Sequence, residues 1–195
     1  LRGERRFHAA LGAALIAFLG IHFALAALAF SPARFEAISA RLHAVAGKTP
    51  ALSIILLGTL VAQGAVGLRL LANSGWGLRV SRRRTENHWL LFAQRWSGAL
   101  VLIFVLVHAL MILVRGAGSS LAEARAALFA GGPLLVGFYG LSIAAIAFHA
   151  GYGVWTGSHV WGLREKNPAL WRAAGLLVGL VLAMLGAAAL RALSA

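Results

Sequence analysis

The sequence predicts an all-α membrane bundle of five transmembrane helices with its N-terminus in the cytoplasm. Three observations lead there. The composition is 61% hydrophobic with a mean hydropathy of +0.84, against roughly 45–50% apolar residues in an average soluble domain. Five apolar runs reach membrane-spanning length, and nearly all the charge falls between them. The 195 residues suit one domain, 1–195, with no soluble unit beside it. A net charge of +13, from 18 Lys and Arg against 5 acidic residues, would point to nucleic acid in a soluble protein. Here the basic residues form short clusters beside apolar runs, so the partner they indicate is membrane lipid and not nucleic acid. With no cysteine, the chain forms no disulfide, holds no iron–sulfur cluster through thiolates and builds no cysteine zinc site.

A bilayer core of about 30 Å takes about 20 apolar residues of helix. The first run, Phe7 to Phe30, follows Arg5-Arg6 and is too long for the apolar part of a signal peptide, so it is the first span. Ser31-Pro32 ends it. The segment Arg34 to Val45 then repeats Phe35, Ile38, Leu42 and Val45 at helical spacing, as a helix lying on the outer membrane surface would. Lys48-Thr49-Pro50 opens the second span, Ala51 to Ala72, and Asn73-Ser74-Gly75 closes it. The third span runs from Trp89 to Val114 and stops at Gly116 to Ser120. Gly131-Gly132-Pro133 introduces the fourth, Pro133 to Thr156, and Asn167-Pro168 introduces the fifth, Ala169 to Leu190.

Twelve basic residues fall on the N-terminal side of the membrane and six on the other, which places the N-terminus inside. Trp76, Trp89, Trp96, Trp155, Trp161 and Trp171 gather at the same side as an interfacial belt. Glu4, Glu36, Glu86, Glu123 and Glu165 all fall in loops or at ends, so no carboxylate path crosses the core.

Set against itself with an offset of 86 residues, the chain matches Gly12 with Gly98, Phe18 with Phe104 and His22 with His108. The same offset sets Gln63 on His149 and Gly67 on Gly153. Two helical hairpins are thus alike, and His22, His108, His149 and Gln63 occupy equivalent slots. At about 1.5 Å per residue, His22 and His108 lie in the outer half of the membrane, while Gln63 and His149 lie roughly 12–18 Å further in.

A histidine at membrane depth needs an interior position and a partner. What two helices bind through one imidazole from each is most often a b haem, whose macrocycle fills the apolar space between them; the alternative is that each His is hydrogen-bonded within the core and the glycines near them only let helices pack closely. His22 and His108 are therefore the expected ligands of an outer haem, with His149 at an inner one. Gly12, Gly20, Gly67, Gly98 and Gly153 offer the flat surfaces that a porphyrin needs. His8, His43, His88 and His159 read as solvated, interfacial side chains.

These residues carry a family resemblance that runs over nearly the whole chain. Its most specific pieces are Gln94-Arg95-Trp96-Ser97-Gly98 leading to His108, and Phe148-His149-Ala150-Gly151-Tyr152-Gly153-Val154-Trp155-Thr156 followed by Trp161-Gly162. The chain resembles the single-chain, five-helix cytochrome b membrane anchor of succinate:quinone oxidoreductases and quinol:fumarate reductases, the complex II group. The resemblance implies haem b at two levels, quinone as substrate, and a flavoprotein subunit and an iron–sulfur subunit docked on the cytoplasmic side of a bacterial-type inner membrane. It also implies a non-catalytic electron-transfer subunit, with the dicarboxylate chemistry on a partner. The basic loop Arg79, Arg82, Arg83 and Arg84 suits an acidic partner surface or anionic lipid.

One position departs from the family pattern. Dihaem members carry His four residues before the second-span glycine, where this chain has Gln63 before Gly67. The inner slot is then a weak ligand through an amide oxygen, a five-coordinate haem on His149, or a cavity that is empty or takes quinone. Polar residues at the inner helix ends, Arg69, Gln94, Arg95, Trp96 and Ser97, are the expected quinone or haem-propionate contacts. Two other functions compete: the cytochrome b subunit of another quinone-coupled dehydrogenase, and a haem-free scaffold or transporter.

Overall fold

A computed structural model describes residues 2–48, 50–73, 88–115 and 121–194. The first helix, α1 (Arg2–Ala27), runs into a 3-10 turn at Leu28–Phe30 and is followed by α2 (Pro32–Lys48), α3 (Pro50–Asn73) and α4 (His88–Arg115). The remainder forms α5 (Leu121–Phe129), α6 (Gly132–Val160) and α7 (Pro168–Ser194). Among the described residues there is no strand, and five helices (α1, α3, α4, α6 and α7) are long and apolar enough to cross a membrane. They are the five predicted spans, and they make the chain a multi-pass membrane protein. Trp76, Glu86 and the basic cluster Arg79, Arg82, Arg83 and Arg84 lie outside the described residues.

The helices overrun the predicted spans at most ends. The first begins at Arg2 instead of Phe7, because nothing in Arg2 to Arg6 breaks a helix and Glu4 in its first turn favours the positive end of the helix dipole. The surface helix predicted over 34–45 is α2, started by Pro32, whose fixed φ suits a first helical position. The short helix α5 was not foreseen. Its Leu-Ala-Glu-Ala-Arg-Ala-Ala run is rich in strong helix formers, and it buries Leu121 and Leu128, one heptad apart.

At the opposite end of α6, Gly162 takes a left-handed φ of +70° and turns the chain, a conformation that glycine adopts without Cβ strain. The Asn167 side chain then caps α7 by accepting from the Leu170 N–H at 3.0 Å, a typical N-cap.

The tightest pair is α6 with α7. A Cβ on Gly151 would lie 2.7 Å from the Gly175 carbonyl oxygen, and one on Gly175 would lie 2.6 Å from that of Gly151. The two backbones touch, as small-residue interfaces in membranes allow. Against this pair α1 packs on both α6 and α7 and also meets α3, while α4 packs on α6 and only lightly on α3. Phe23, Phe104, Ile143, Ile146 and Leu182 form the core where α1, α4, α6 and α7 converge. A second, smaller core at the end of the bundle away from the N-terminus joins Ala29, Leu121 and Ala192. There Arg125 Nη2 donates to the Ala192 carbonyl at 3.0 Å, supplying one of the acceptors left open at a helix C-terminus.

Candidate functional site

The repeat read from the sequence orders the interior into two levels, called outer and inner after the orientation that the sequence predicts. At the outer level, Phe18 stacks on His22 with ring centroids 5.5 Å apart and an interplanar angle of 18°. Its repeat counterpart, Phe104 on His108, also shows 5.5 Å, at 14°. In each case the Phe stands one helical turn before the His, so the same i, i+4 contact is built twice.

The two imidazoles face each other with centroids 6.2 Å apart and planes at 73°. A metal–nitrogen bond of about 2 Å on each side puts the centroids of two imidazoles on one metal roughly 6 Å apart. The outer pair therefore has the spacing of axial ligands. The Tyr139 hydroxyl lies 2.9 Å from His108 Nδ1 and 4.0 Å from Met111 Sδ, so it holds the ring at the nitrogen away from Nε2, and a ligating histidine is commonly oriented by a partner on its other nitrogen. His22 remains exposed and His108 half-buried; an accessible imidazole at membrane depth is costly until a group covers it.

The inner level has four polar side chains, again in two repeat-related halves. In the half formed by α4 and α6, His149 Nδ1–H donates to the Gln94 carbonyl at 3.0 Å, and the Gln94 side-chain amide donates to the His149 carbonyl at 3.1 Å. The two residues lock each other. The Ser97 hydroxyl donates to the same Gln94 carbonyl at 3.1 Å and lies 3.4 Å from His149 Nδ1. The ring rests on Gly98, where a Cβ would come within 2.7 Å of its Cε1.

The half formed by α1 and α3 holds the counterparts, with His8 matching Gln94 and Gln63 matching His149. Here the two side chains meet through Gln63 Nε2 and His8 Nε2, 3.4 Å apart. His8 Nδ1, Gln63 Oε1 and Glu4 Oε2 are buried without a hydrogen-bond partner, as is Gln94 Oε1 across the bundle. Below them Arg69 Nε pairs with Glu4 Oε1 at 3.1 Å, with side-chain exposures of 71% and 27%.

His8 is the main correction to the sequence reading. It is half-buried and interior, not a solvated interfacial group, and it rests against Gly67, where a Cβ would sit 3.3 Å from its Cε1. The signal was present in the spacing: Glu4, His8 and Gly12 follow at i, i+4, and His22 lies 14 residues beyond His8 on nearly the same face. His159, by contrast, is exposed as expected and donates from Nδ1 to Glu165. The side chains of His43 and His88 lie outside the described residues.

The glycines also differ from the flat surfaces expected. Gly12, Gly67, Gly98 and Gly153 each face one member of the inner polar set, Gln63, His8, His149 and Gln94 in turn, while Gly20 faces nothing within 4 Å.

Of the five predicted quinone contacts, Gln94 and Ser97 are used in bracing His149. Arg95 and Trp96 line a hollow of only about 10 Å³ with Leu71 and Ala99, room for a single water. Arg69 pairs with Glu4. Among the described residues no three His, Cys, Asp or Glu side chains converge on one point. A porphyrin supplies four nitrogens of its own and asks the protein for two at most, which the outer pair offers. No protein-family model matches the chain, and no curated protein matches it.

Proposed function

We propose that this chain is a membrane cytochrome b subunit that passes electrons between quinone and a soluble iron–sulfur partner, with His22 and His108 as axial ligands of an outer b haem. The observation that carries the reading is the outer imidazole pair, spaced for one metal and with the His108 ring held at Nδ1 by the Tyr139 hydroxyl. When bound, the haem supplies one-electron transfer; the chain supplies its ligands, an apolar setting and orientation.

The inner level takes the quinone head. Gln63 stands where an imidazole would be needed opposite His149, and an amide is a weak partner for iron. A quinone carbonyl asks for a donor, and a quinol hydroxyl asks for an acceptor. The Gln63 amide and the His8 ring offer donors, while Gln63 Oε1 and Glu4 Oε2 offer acceptors. Quinone reduction takes up two protons with two electrons. Glu4 stands between His8 of the inner level and the surface at Arg69, so protons would exchange there without crossing the core.

With the N-terminus in the cytoplasm, this cluster opens on the side where the flavoprotein and iron–sulfur subunits of a succinate dehydrogenase or fumarate reductase would dock. The test is optical. The purified chain should show a b-type Soret band that a short-chain quinol reduces, and the soluble subunits that co-purify should include a flavoprotein. Absence of a Soret band from protein made with ample haem would point to the scaffold or transporter reading.

A further inference from the structure

Away from both levels, a groove of about 720 Å³ opens on the outside of the bundle, lined by α6 and α7 with Leu90 of α4 at one edge. Phe148, Tyr152 and Trp155 form one wall, and Gly175, Gly179 and Ala183 leave the other low. Arg172 lies at one end. From Arg172 to Ala183 is eleven residues, roughly 16 Å of helix, which is about half of a 30 Å hydrocarbon core. The groove therefore spans one leaflet.

The charged end is doubly basic. The Arg164 and Arg172 guanidinium carbons lie 4.6 and 5.5 Å from the centroid of the same Trp155 ring. The two charges are thus within about 10 Å of each other, inside a Debye length at 0.1 M salt. Arg164 has Glu165 at 4.0 Å, but that carboxylate is also held by His159. No carboxylate among the described residues pairs with Arg172. Two guanidiniums stacked about one indole at the end of an apolar channel call for an anion carrying a long hydrocarbon chain.

We propose that this groove holds one anionic phospholipid from the leaflet on the N-terminal side, its phosphate on Arg172 and Arg164 and one acyl chain along Gly175, Gly179 and Ala183. A quinone tail would suit the channel, yet a neutral head leaves both arginines uncompensated. The proposal needs only the membrane setting of the chain and stands apart from the haem reading.

The test is native mass spectrometry of the full, delipidated chain titrated with phosphatidylglycerol or phosphatidylcholine. The wild type should retain one phosphatidylglycerol, preferred over phosphatidylcholine by roughly fivefold or more. Arg172→Gln should remove the preference, and Arg172→Lys should keep most of it. Ala183→Trp, which narrows the channel and leaves the charge intact, should weaken retention of both lipids. Equal retention of the two lipids by the wild type overturns the proposal, as does an unchanged preference in Arg172→Gln. Displacement of the lipid by a long-chain quinone that binds Arg172→Gln equally well would assign the groove to quinone instead.

Discussion

The outer and inner levels come from the same repeated pair of hairpins, yet one is symmetric and the other is not. At the outer level the repeat returns the same pair twice, Phe18 with His22 and Phe104 with His108, at the same 5.5 Å. At the inner level it returns His8 with Gln63 in one half and Gln94 with His149 in the other. The second pair is locked by reciprocal hydrogen bonds, while the first leaves His8 Nδ1 and Gln63 Oε1 buried without partners. Buried polar groups left open in this way are costly unless a ligand or water completes them. On the proposed function, the difference teaches that a repeated scaffold can keep one level for a fixed metal and release the other for an exchangeable substrate by changing one ligand.

Restoring the symmetry should produce the largest effect. Gln63→His places an imidazole opposite His149 and should raise haem from one to two per chain, counted as the pyridine haemochrome. A count that stays at one would mean the inner space does not admit a porphyrin. Next in size, Tyr139→Phe frees His108 Nδ1 at the outer level. Loss of a hydrogen bond to the far nitrogen of a ligating imidazole typically weakens metal binding by about 10–100-fold, measured here as haem lost on dilution, while quinol binding at the inner level should hold.

A smaller effect is expected from the open half. His8→Ala and Glu4→Gln should each raise the quinol concentration needed for half-maximal haem reduction by roughly five- to tenfold, about one hydrogen bond. The outer haem spectrum should not change. If Gln94→Ala has the same effect without disturbing His149, the quinone lies in the α4–α6 half instead.

The smallest effect belongs to the turn after α6, on the same side as the inner level. The hydrogen bond from His159, with lesser help from a backbone bond and the Arg164 charge, holds the Glu165 carboxyl below its ordinary value of 4.5. A depressed carboxylate stabilises the folded turn above that value, and the contribution is lost as pH falls through the lower folded-state value. Amide protection across Gly162 to Lys166 should therefore hold at neutral pH and fade only below about pH 4.5. Fading that begins well above pH 4.5 would contradict this assignment to the Glu165 carboxyl.

The five spans were legible because apolar length acts independently of packing. So was the outer pair, since His22 and His108 lie deep in their runs and share a repeat register. The inner half was harder to read. His8 stands at the start of an apolar run, where a histidine reads as interfacial, and its burial depends on α3 bringing Gln63 and Gly67 alongside. Ser97 and Gln94 looked like ligand contacts because they are polar at a helix end; only the packing of α4 on α6 shows that His149 uses them. The helix α5 escaped notice because nine residues with two buried leucines carry little apolar pattern of their own.

The most direct test of the central claim is a haem count with electron paramagnetic resonance on the wild type, His22→Ala and His108→Ala. The account predicts one low-spin, bis-imidazole b haem per chain in the wild type and its loss in both variants, with helical content unchanged by circular dichroism. A full low-spin signal that persists in either variant would contradict it.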